Sequence, residues 1–224
     1  MGRRFLITGT GVGVGKTTVG CALGFAFRAR GMRVGVMKPV ETGCAEVGGE
    51  LEALDAQALA LAAGSTLPLE LICPYRYRSR LAPAAAAEVD HLPPPNLAEI
   101  ERRFHEIAAD SDAVLVESAG EIATPITEDA DFADLAALLD LEAIVVIGNR
   151  PGWMNAAILT LKYAENRGLS TAGYIFCHVE PVSSSDVGDA EAGEASFTRL
   201  TSARYLGRMR YREPLAKVVV EQLL

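Results

Sequence analysis

Long apolar runs are missing from this sequence. No stretch reaches the roughly 18 uninterrupted apolar residues that a membrane-spanning helix requires, so no such span is expected. At the N-terminus, Met-Gly-Arg-Arg-Phe-Leu-Ile carries a basic pair, but only three apolar residues follow before the glycines begin. That is too short for the core of a secretory signal, and cytoplasmic residence is the expectation. Clustered positive charge is equally scarce. No run of Lys or Arg exceeds two residues, and 21 basic against 29 acidic residues leave a net charge of −8, the opposite of a nucleic-acid footprint. Cysteine is sparse as well: Cys21, Cys44, Cys73 and Cys177 show no C-x-x-C spacing and do not cluster with His91, His105 or His178. They read as reduced packing thiols, and the histidines have no ligand spacing. No internal repeat is found.

What is present is concentrated in residues 5 to 20. Phe5 to Ile7 form a short apolar strand; Gly9, Gly11, Gly13 and Gly15 alternate through a loop; a helix then opens with Lys16, Thr17 and Thr18. This order specifies a phosphate cradle. Glycines let the backbone curl until several N–H groups point inward, and the helix adds its positive N-terminal end. Lys16 would reach the β/γ-phosphates and Thr17 would ligate Mg²⁺, with the backbone of Gly11, Val12, Gly13, Val14, Gly15 and Thr18 around the nucleotide. The usual pattern wants Gly five residues before Gly15, where Thr10 stands; Gly9 comes one residue early, so this is a variant P-loop.

The remaining chain alternates. Val19 to Arg30 reads as a small-residue helix closed by Gly31, and Val34 to Met37 as a short buried strand that delivers Lys38-Pro-Val-Glu-Thr42-Gly43 at its C-terminal end. Glu50 to Ala63 has helical composition and carries Asp55. Residues 64 to 98 are Pro-rich, with a short helical turn at 84 to 88. Apolar residues at 97, 100, 104 and 107 predict an amphipathic helix over Leu97 to Ala109. Ala113 to Val116 is a central-strand run followed at once by Glu117. Phe132 to Leu139 and Met154 to Asn166 read as helices, Ala143 to Ile147 and Ala172 to Phe176 as strands. The length of 224 residues fits one large or two small domains, and the alternation indicates one: an α/β, doubly wound, mostly parallel sheet flanked by helices, P-loop NTPase-like. Residues 181 to 196, rich in Ser, Gly, Asp, Glu and Ala, have almost nothing to bury and are expected as a flexible loop.

Four charged groups fall at the phosphate end of that sheet: Lys16, Lys38, Asp55 and Glu117. Magnesium takes oxygen ligands and keeps waters, so Thr17 with Asp55 or Glu117 and phosphate oxygens would be a sufficient shell. On position alone Glu117 also reads as a solvated strand-end acid, Asp55 as an exposed acid of an Ala-rich helix, and Lys38 as a surface lysine. Trp153 and Tyr75 read as packing residues.

With Gly9-Thr-Gly-Val-Gly-Val-Gly-Lys-Thr17, Lys38-Pro-Val-Glu-Thr-Gly43, Asp55, Pro74-Tyr75, Leu81-Ala-Pro83, Val116-Glu-Ser-Ala-Gly120, Thr124-Pro-Ile126 and Phe132-Ala-Asp134 in order, the chain resembles the ATP-dependent dethiobiotin synthetase family. The early glycine is a trait of that family. The resemblance implies a homodimeric enzyme of biotin biosynthesis that binds ATP and Mg²⁺. In that family a carbamate formed from 7,8-diaminononanoate and CO₂ is phosphorylated by ATP and closed to a cyclic urea. It implies catalytic roles for Lys16, Lys38 and Thr42, a metal shell of Thr17, Asp55 and Glu117, and substrate contacts from Val12, Lys38, Thr42 and Ser118. Backbone from Gly152 to Asn155, at a helix N-terminus, would receive the distant carboxylate, and Glu117 and Cys177 would border the nucleotide.

Departures from the family pattern collect around the substrate and base. A threonine usual in the loop is Val12; Glu-Gly-Ala-Gly-Gly is Glu117-Ser-Ala-Gly-Glu121; a histidine after Pro83 is Ala84; Asn-Asp is Cys177-His178; and Gly-x-Ile-Pro is Gly207-Arg-Met-Arg210. A glutamate beside an anionic carbamate repels it unless it points away or meets an amine. These departures leave open a paralogous ATP-dependent ligase acting on a different amine or carboxylate. A dimeric ATPase switch of the partitioning type is disfavoured, because such switches carry a lysine five residues before Lys16, where this chain has Gly11.

Overall fold

The structure, a computed structural model, describes residues 2–183 and 185–224; Met1, in the N-terminal heptapeptide above, and Ser184, in the expected loop, lie outside the described residues. Six strands form one sheet: β1 (Arg3–Gly9), β2 (Val34–Met37), β7 (Ala113–Glu117), β8 (Glu142–Gly148), β9 (Thr171–Cys177) and β10 (Tyr205–Met209), in the order β10-β9-β8-β1-β7-β2. Every pairing in it is parallel. The central strands read as apolar runs because both faces are covered, and their alternating residues go to opposite sides. Phe5 and Ile7 of β1 meet α1 (Lys16–Arg28), α2 (Leu54–Ala63) and α9 (Lys217–Leu223), whereas Leu6 faces α5 (Leu97–Ala109) and α6 (Phe132–Leu138). The second face continues over β8 and β9, where Val145, Ile147, Tyr174 and Phe176 pack on α7 (Trp153–Asn166).

The spacing that predicts α5 puts Ile100, Phe104 and Ile107 in the core, and Asn96 caps the helix by accepting from Glu99 N at 3.0 Å. α6 begins with a reciprocal capping box between Asp131 and Asp134. No helix among the described residues is long and apolar enough to cross a membrane.

Three expectations need correction. Glu50 to Glu52 is not helical: it forms β5 and pairs antiparallel with β4 (Ala45–Val47), and α2 starts only at Leu54. Within the Pro-rich stretch the chain forms α3 (Leu69–Ile72), β6 (Tyr75–Tyr77) and α4 (Pro83–Asp90), and β6 pairs parallel with β3 (Val40–Thr42). Most consequentially, the segment expected as a loop over 181–196 becomes helical from Val187 as α8 (Val187–Leu200). Composition hid this because only two of its residues are buried. Phe197 is fully buried and stacks edge-on against Trp153, Tyr174 and Phe176, while Glu194 joins His178 and Arg208.

Phe197→Ala should therefore cost about 3–5 kcal/mol of unfolding free energy in urea titrations, the range for an aromatic removed from a packed site. A change below about 0.5 kcal/mol, ordinary for a surface substitution, would show that this segment does not dock as α8.

Candidate active site

Three neighbouring strands end at one place, the carboxyl edge of the sheet where open α/β folds bind ligands. β1 runs into the glycine loop, β2 delivers Lys38, and β7 ends on Glu117. Within the loop Val14 tucks beneath, only 3% exposed, against Gly9 and Gly148. Gly15 has φ +96°, and a Cβ there would overlap Cys177 Sγ, so this position admits only glycine. α1 starts on the next residue, leaving the N–H groups of its first turn aimed into the loop. Lys16 donates to Gly11 O at 2.8 Å. Its pKa lies below the ordinary lysine value because of burial first and the nearby Lys38 second, against the pull of Glu117, Glu121 and Asp55.

Lys38 is the centre of the site. It is 4% exposed, and its Nζ donates to Glu117 Oε1 at 2.5 Å, Asp55 Oδ2 at 3.2 Å and Ser118 O at 3.2 Å. Burial alone would lower its pKa, but Glu117 and then Asp55 outweigh that and hold it above the usual value, so the ammonium stays charged. Thr17 Oγ1 donates to the same Glu117 oxygen at 2.9 Å. The readings of Glu117 and Lys38 as solvated surface groups are thereby corrected, whereas Asp55, about 44% exposed in its side chain, keeps one edge to solvent. Glu41, to which sequence reasoning assigned no role, places Asp55: its two oxygens accept from Asp55 N and Ala56 N, each at 3.0 Å, capping α2 where Ala53 cannot. The signal was a glutamate three residues beyond Lys38, invisible as a cap because α2 begins thirteen residues later, at Leu54.

These groups line a cleft of about 1200 Å³. Of the expected residues, Val12, Gly13, Gly15, Lys16, Thr17, Thr18, Lys38, Thr42, Asp55, Glu117 and Cys177 border it. Gly11 contributes its carbonyl to Lys16, and Val14 supports from below. Ser118 does not face the cleft: it is fully buried, its Oγ donating to Gly120 O at 2.8 Å and lying 3.2 Å from Thr8 Oγ1. Gly152 and Asn155 are exposed at the start of α7 and do not border the cleft either. Cys177 is 2% exposed, with burial pushing its thiol up to about 11; it floors the loop and offers no amide-like edge. Arg80, Arg150, Tyr211 and Arg212 also line the cleft and went unread, since none sits in a motif.

A family model described as an AAA domain matches residues 3–219. A protein of Anaeromyxobacter dehalogenans (strain 2CP-C) named ATP-dependent dethiobiotin synthetase BioD is 40% identical over 214 residues, 96% of this chain and 88% of that one. The chain belongs to the dethiobiotin synthetase family. A relative of the same name from Aromatoleum aromaticum is 36% identical over 181 residues, 80% of this chain and 79% of its own. Among solved structures, a ParA family ATPase from Chlorobium tepidum TLS aligns with a TM-score of 0.58 at 12% identity, covering 100% of this chain and 99% of that one. The MinD cell division protein of Aquifex aeolicus aligns at 0.55 and 14%, covering 98% and 87%. At those identities the likeness shows the fold alone: a parallel α/β sheet flanked by helices.

The donors fit a magnesium ion in kind. Thr17, Asp55 and Glu117 present hard oxygens within one corner, and Glu117 Oε2 is a buried oxygen without a hydrogen-bond partner. Among the described residues no cluster of three His, Cys, Asp or Glu side chains is arranged for a metal.

Removing one member of a buried ion pair exposes its worth. Lys38→Met should destabilise the protein by about 3–5 kcal/mol, and Lys38→Met with Glu117→Gln should recover much of that loss. Additive losses in the double variant, measured by urea unfolding, would mean that the two side chains are not coupled.

Proposed function

We propose that this chain is an ATP- and Mg²⁺-dependent dethiobiotin synthetase: 7,8-diaminononanoate and CO₂ form a carbamate that ATP phosphorylates and the second amine closes to a cyclic urea. One observation carries the reading above family membership: Lys16, Thr17, Lys38, Thr42, Asp55 and Glu117, far apart in sequence, line one cleft at the strand ends. Phosphoryl transfer to a carbamate needs positioning and fixed cations and no protein nucleophile, which matches that inventory.

Lys16 exchanges Gly11 O for phosphate oxygens, and the loop N–H groups hold the rest of the chain of phosphates. Thr17, Asp55 and Glu117 hold Mg²⁺, which supplies charge screening across the phosphates. Lys38, fixed from two sides by carboxylates, and the Thr42 hydroxyl orient the carbamate oxygen toward the γ-phosphorus. That oxygen forms the new P–O bond as the bond to the β-phosphate breaks and ADP leaves. The neighbouring amine then attacks the carbamoyl carbon, loses a proton and expels phosphate. Gly152 and Asn155 lie off the cleft of their own chain, which supports a tail contact supplied by a second copy in a homodimer.

A second reading, a ligase of the same family acting on a different amine or carboxylate, is kept open by one specific observation: Glu121 lines the cleft rather than turning away from it, and there it repels an anionic carbamate unless it meets an amine. The deciding experiment is ADP release by purified protein with 7,8-diaminononanoate, bicarbonate and ATP, alongside rescue of a biotin auxotroph lacking the synthetase. Failure on both counts by well-folded protein would sink the first reading.

Lys16→Ala should lower kcat by about 10²-fold or more through lost phosphate positioning, and wild-type turnover in that variant would refute the nucleotide assignment. With a buried thiol at Cys177, base selectivity should be loose: kcat/KM for ATP, CTP and GTP should agree within about 10-fold, the scale of a single modest contact. A clear preference for ATP would place base reading in other groups of the cleft.

A further inference from the structure

Four carboxylates line the cleft, and three are already committed. Glu41 gives both oxygens to the N-terminus of α2, while Asp55 and Glu117 share the Lys38 ammonium. Glu121 is the fourth, and among the described residues it has no ion pair. Its placement is nevertheless fixed. The backbone N–H of Glu121 donates to Thr124 Oγ1 at 2.9 Å, and that hydroxyl donates to Glu121 Oε2 at 3.2 Å, closing a small ring at the end of β7. The other oxygen, Oε1, has no hydrogen-bond partner among the described residues. It lies 4.0 Å from where a Cβ on Gly11 would sit, beside Val12, whose side chain is 81% exposed. A carboxylate with one oxygen anchored and the other open to a cleft is preorganised to accept a charge-assisted hydrogen bond from a cation.

Among the described residues no protein cation is paired with Glu121: of the arginines that also line the cleft, Arg150 donates to Gly13 O and lies 3.8 Å from Glu180, Arg210 lies 3.6 Å from Glu191, and Arg80 and Arg212 form no ion pair with Glu121. Lys16 is bonded to Gly11 O and is required for phosphate, and Lys38 is saturated by Glu117, Asp55 and Ser118. The phosphate and carbamate of the proposed reaction are both anionic, so neither can be the partner. The amine that later closes the ring is the remaining group, and before closure it is an ammonium. Val12 is consistent with the assignment: it is exposed and carries no hydroxyl, so its side chain offers the amine no hydrogen-bond acceptor, while Glu121 Oε1 lies beside the neighbouring Gly11.

We propose that Glu121 is the specificity-determining residue for the free amine of the substrate. Oε1 accepts a charge-assisted hydrogen bond from the ammonium, so the cleft selects molecules carrying a cationic amine next to the nitrogen that is carboxylated. This deepens the reading of the site as a diamine-using synthetase and depends on it. Ser118 and Ala84 play no part, the first because it is turned into the fold.

The test measures binding and turnover separately, on the full-length wild-type, Glu121→Gln, Glu121→Gly and Thr124→Val proteins. Calorimetric titration, with the enzyme loaded with Mg²⁺ and a non-hydrolysable ATP analogue, compares 7,8-diaminononanoate with the analogue in which one amine is a hydroxyl. Wild type should prefer the diamine by about 10-fold or more, the scale of a hydrogen bond to a charged group. Glu121→Gln and Glu121→Gly should reduce that preference to about 2-fold, with unchanged affinity for the nucleotide analogue, the partial loss expected when the charge is removed. Thr124→Val, which frees the anchored oxygen but keeps the charge, should retain most of the preference. A preference that survives in Glu121→Gln, or one lost equally in Thr124→Val, overturns the assignment and reduces Glu121 to a turn-forming residue. If wild type turns over the diamine and Glu121→Gln discriminates as well as wild type, only this inference fails. If wild type neither binds nor turns over the diamine, the synthetase reading fails, and the inference with it.

Discussion

The buried contact of Lys38 with Glu117 is the constraint on which the site depends. Two charges this deep are stable only if each answers the other, and the answer must hold two strand ends in register. β2 and β7 pair directly, with Met37 beside Val116, so the residues that follow each strand emerge side by side. Their ion pair ties the edge of the sheet to the phosphate loop, because Thr17, the second residue of α1, donates to the same carboxylate oxygen. One glutamate thus links three elements, and Asp55 on α2 adds a fourth through Lys38. Charge is stored here in a preorganised form, which costs stability in the resting protein and avoids reorganisation when phosphate arrives.

Around that contact the other parts act as supports. Gly15 lets the loop lie directly on Cys177, and Val14 fills the space below. Glu41 neutralises the open N-terminus of α2 and so sets where Asp55 stands. On the far side, α8, β10 and the residue that follows β9 build a wall from Glu194, Arg208 and His178, joined by hydrogen bonds of 2.8 Å and 2.7 Å. Glu121 differs from all of these. Thr124 holds one of its oxygens, and among the described residues no ion pair engages it.

The readable parts of the chain were those with a strong local period or a crowded motif. The apolar runs of β1, β2, β7, β8 and β9 could hardly be anything but covered strands, and α5 announced itself by its spacing. The harder parts were short or mixed. β4 with β5, and β3 with β6, are three residues each, and their pairing depends on partners up to 35 positions away. α8 buries two residues in fourteen, so no composition rule could separate it from a loop; only the receiving surface of Trp153, Tyr174 and Phe176 makes Phe197 an anchor.

Taken alone, the order of residues determined the parallel α/β class, the phosphate loop with Lys16 and Thr17, and the candidate acids and lysine of the site. These follow from glycine conformations, helix-end charge and strand periodicity, all local properties of the chain. Tertiary structure decided which candidates meet. It sent Ser118 inward and Glu121 outward although they are three residues apart, kept Gly152 and Asn155 away from their own cleft, and made Glu41 the cap of a helix it does not belong to. The reason is physical: burial, pairing and the direction of a side chain are set by what packs against it across the fold, and local sequence carries no record of that neighbour.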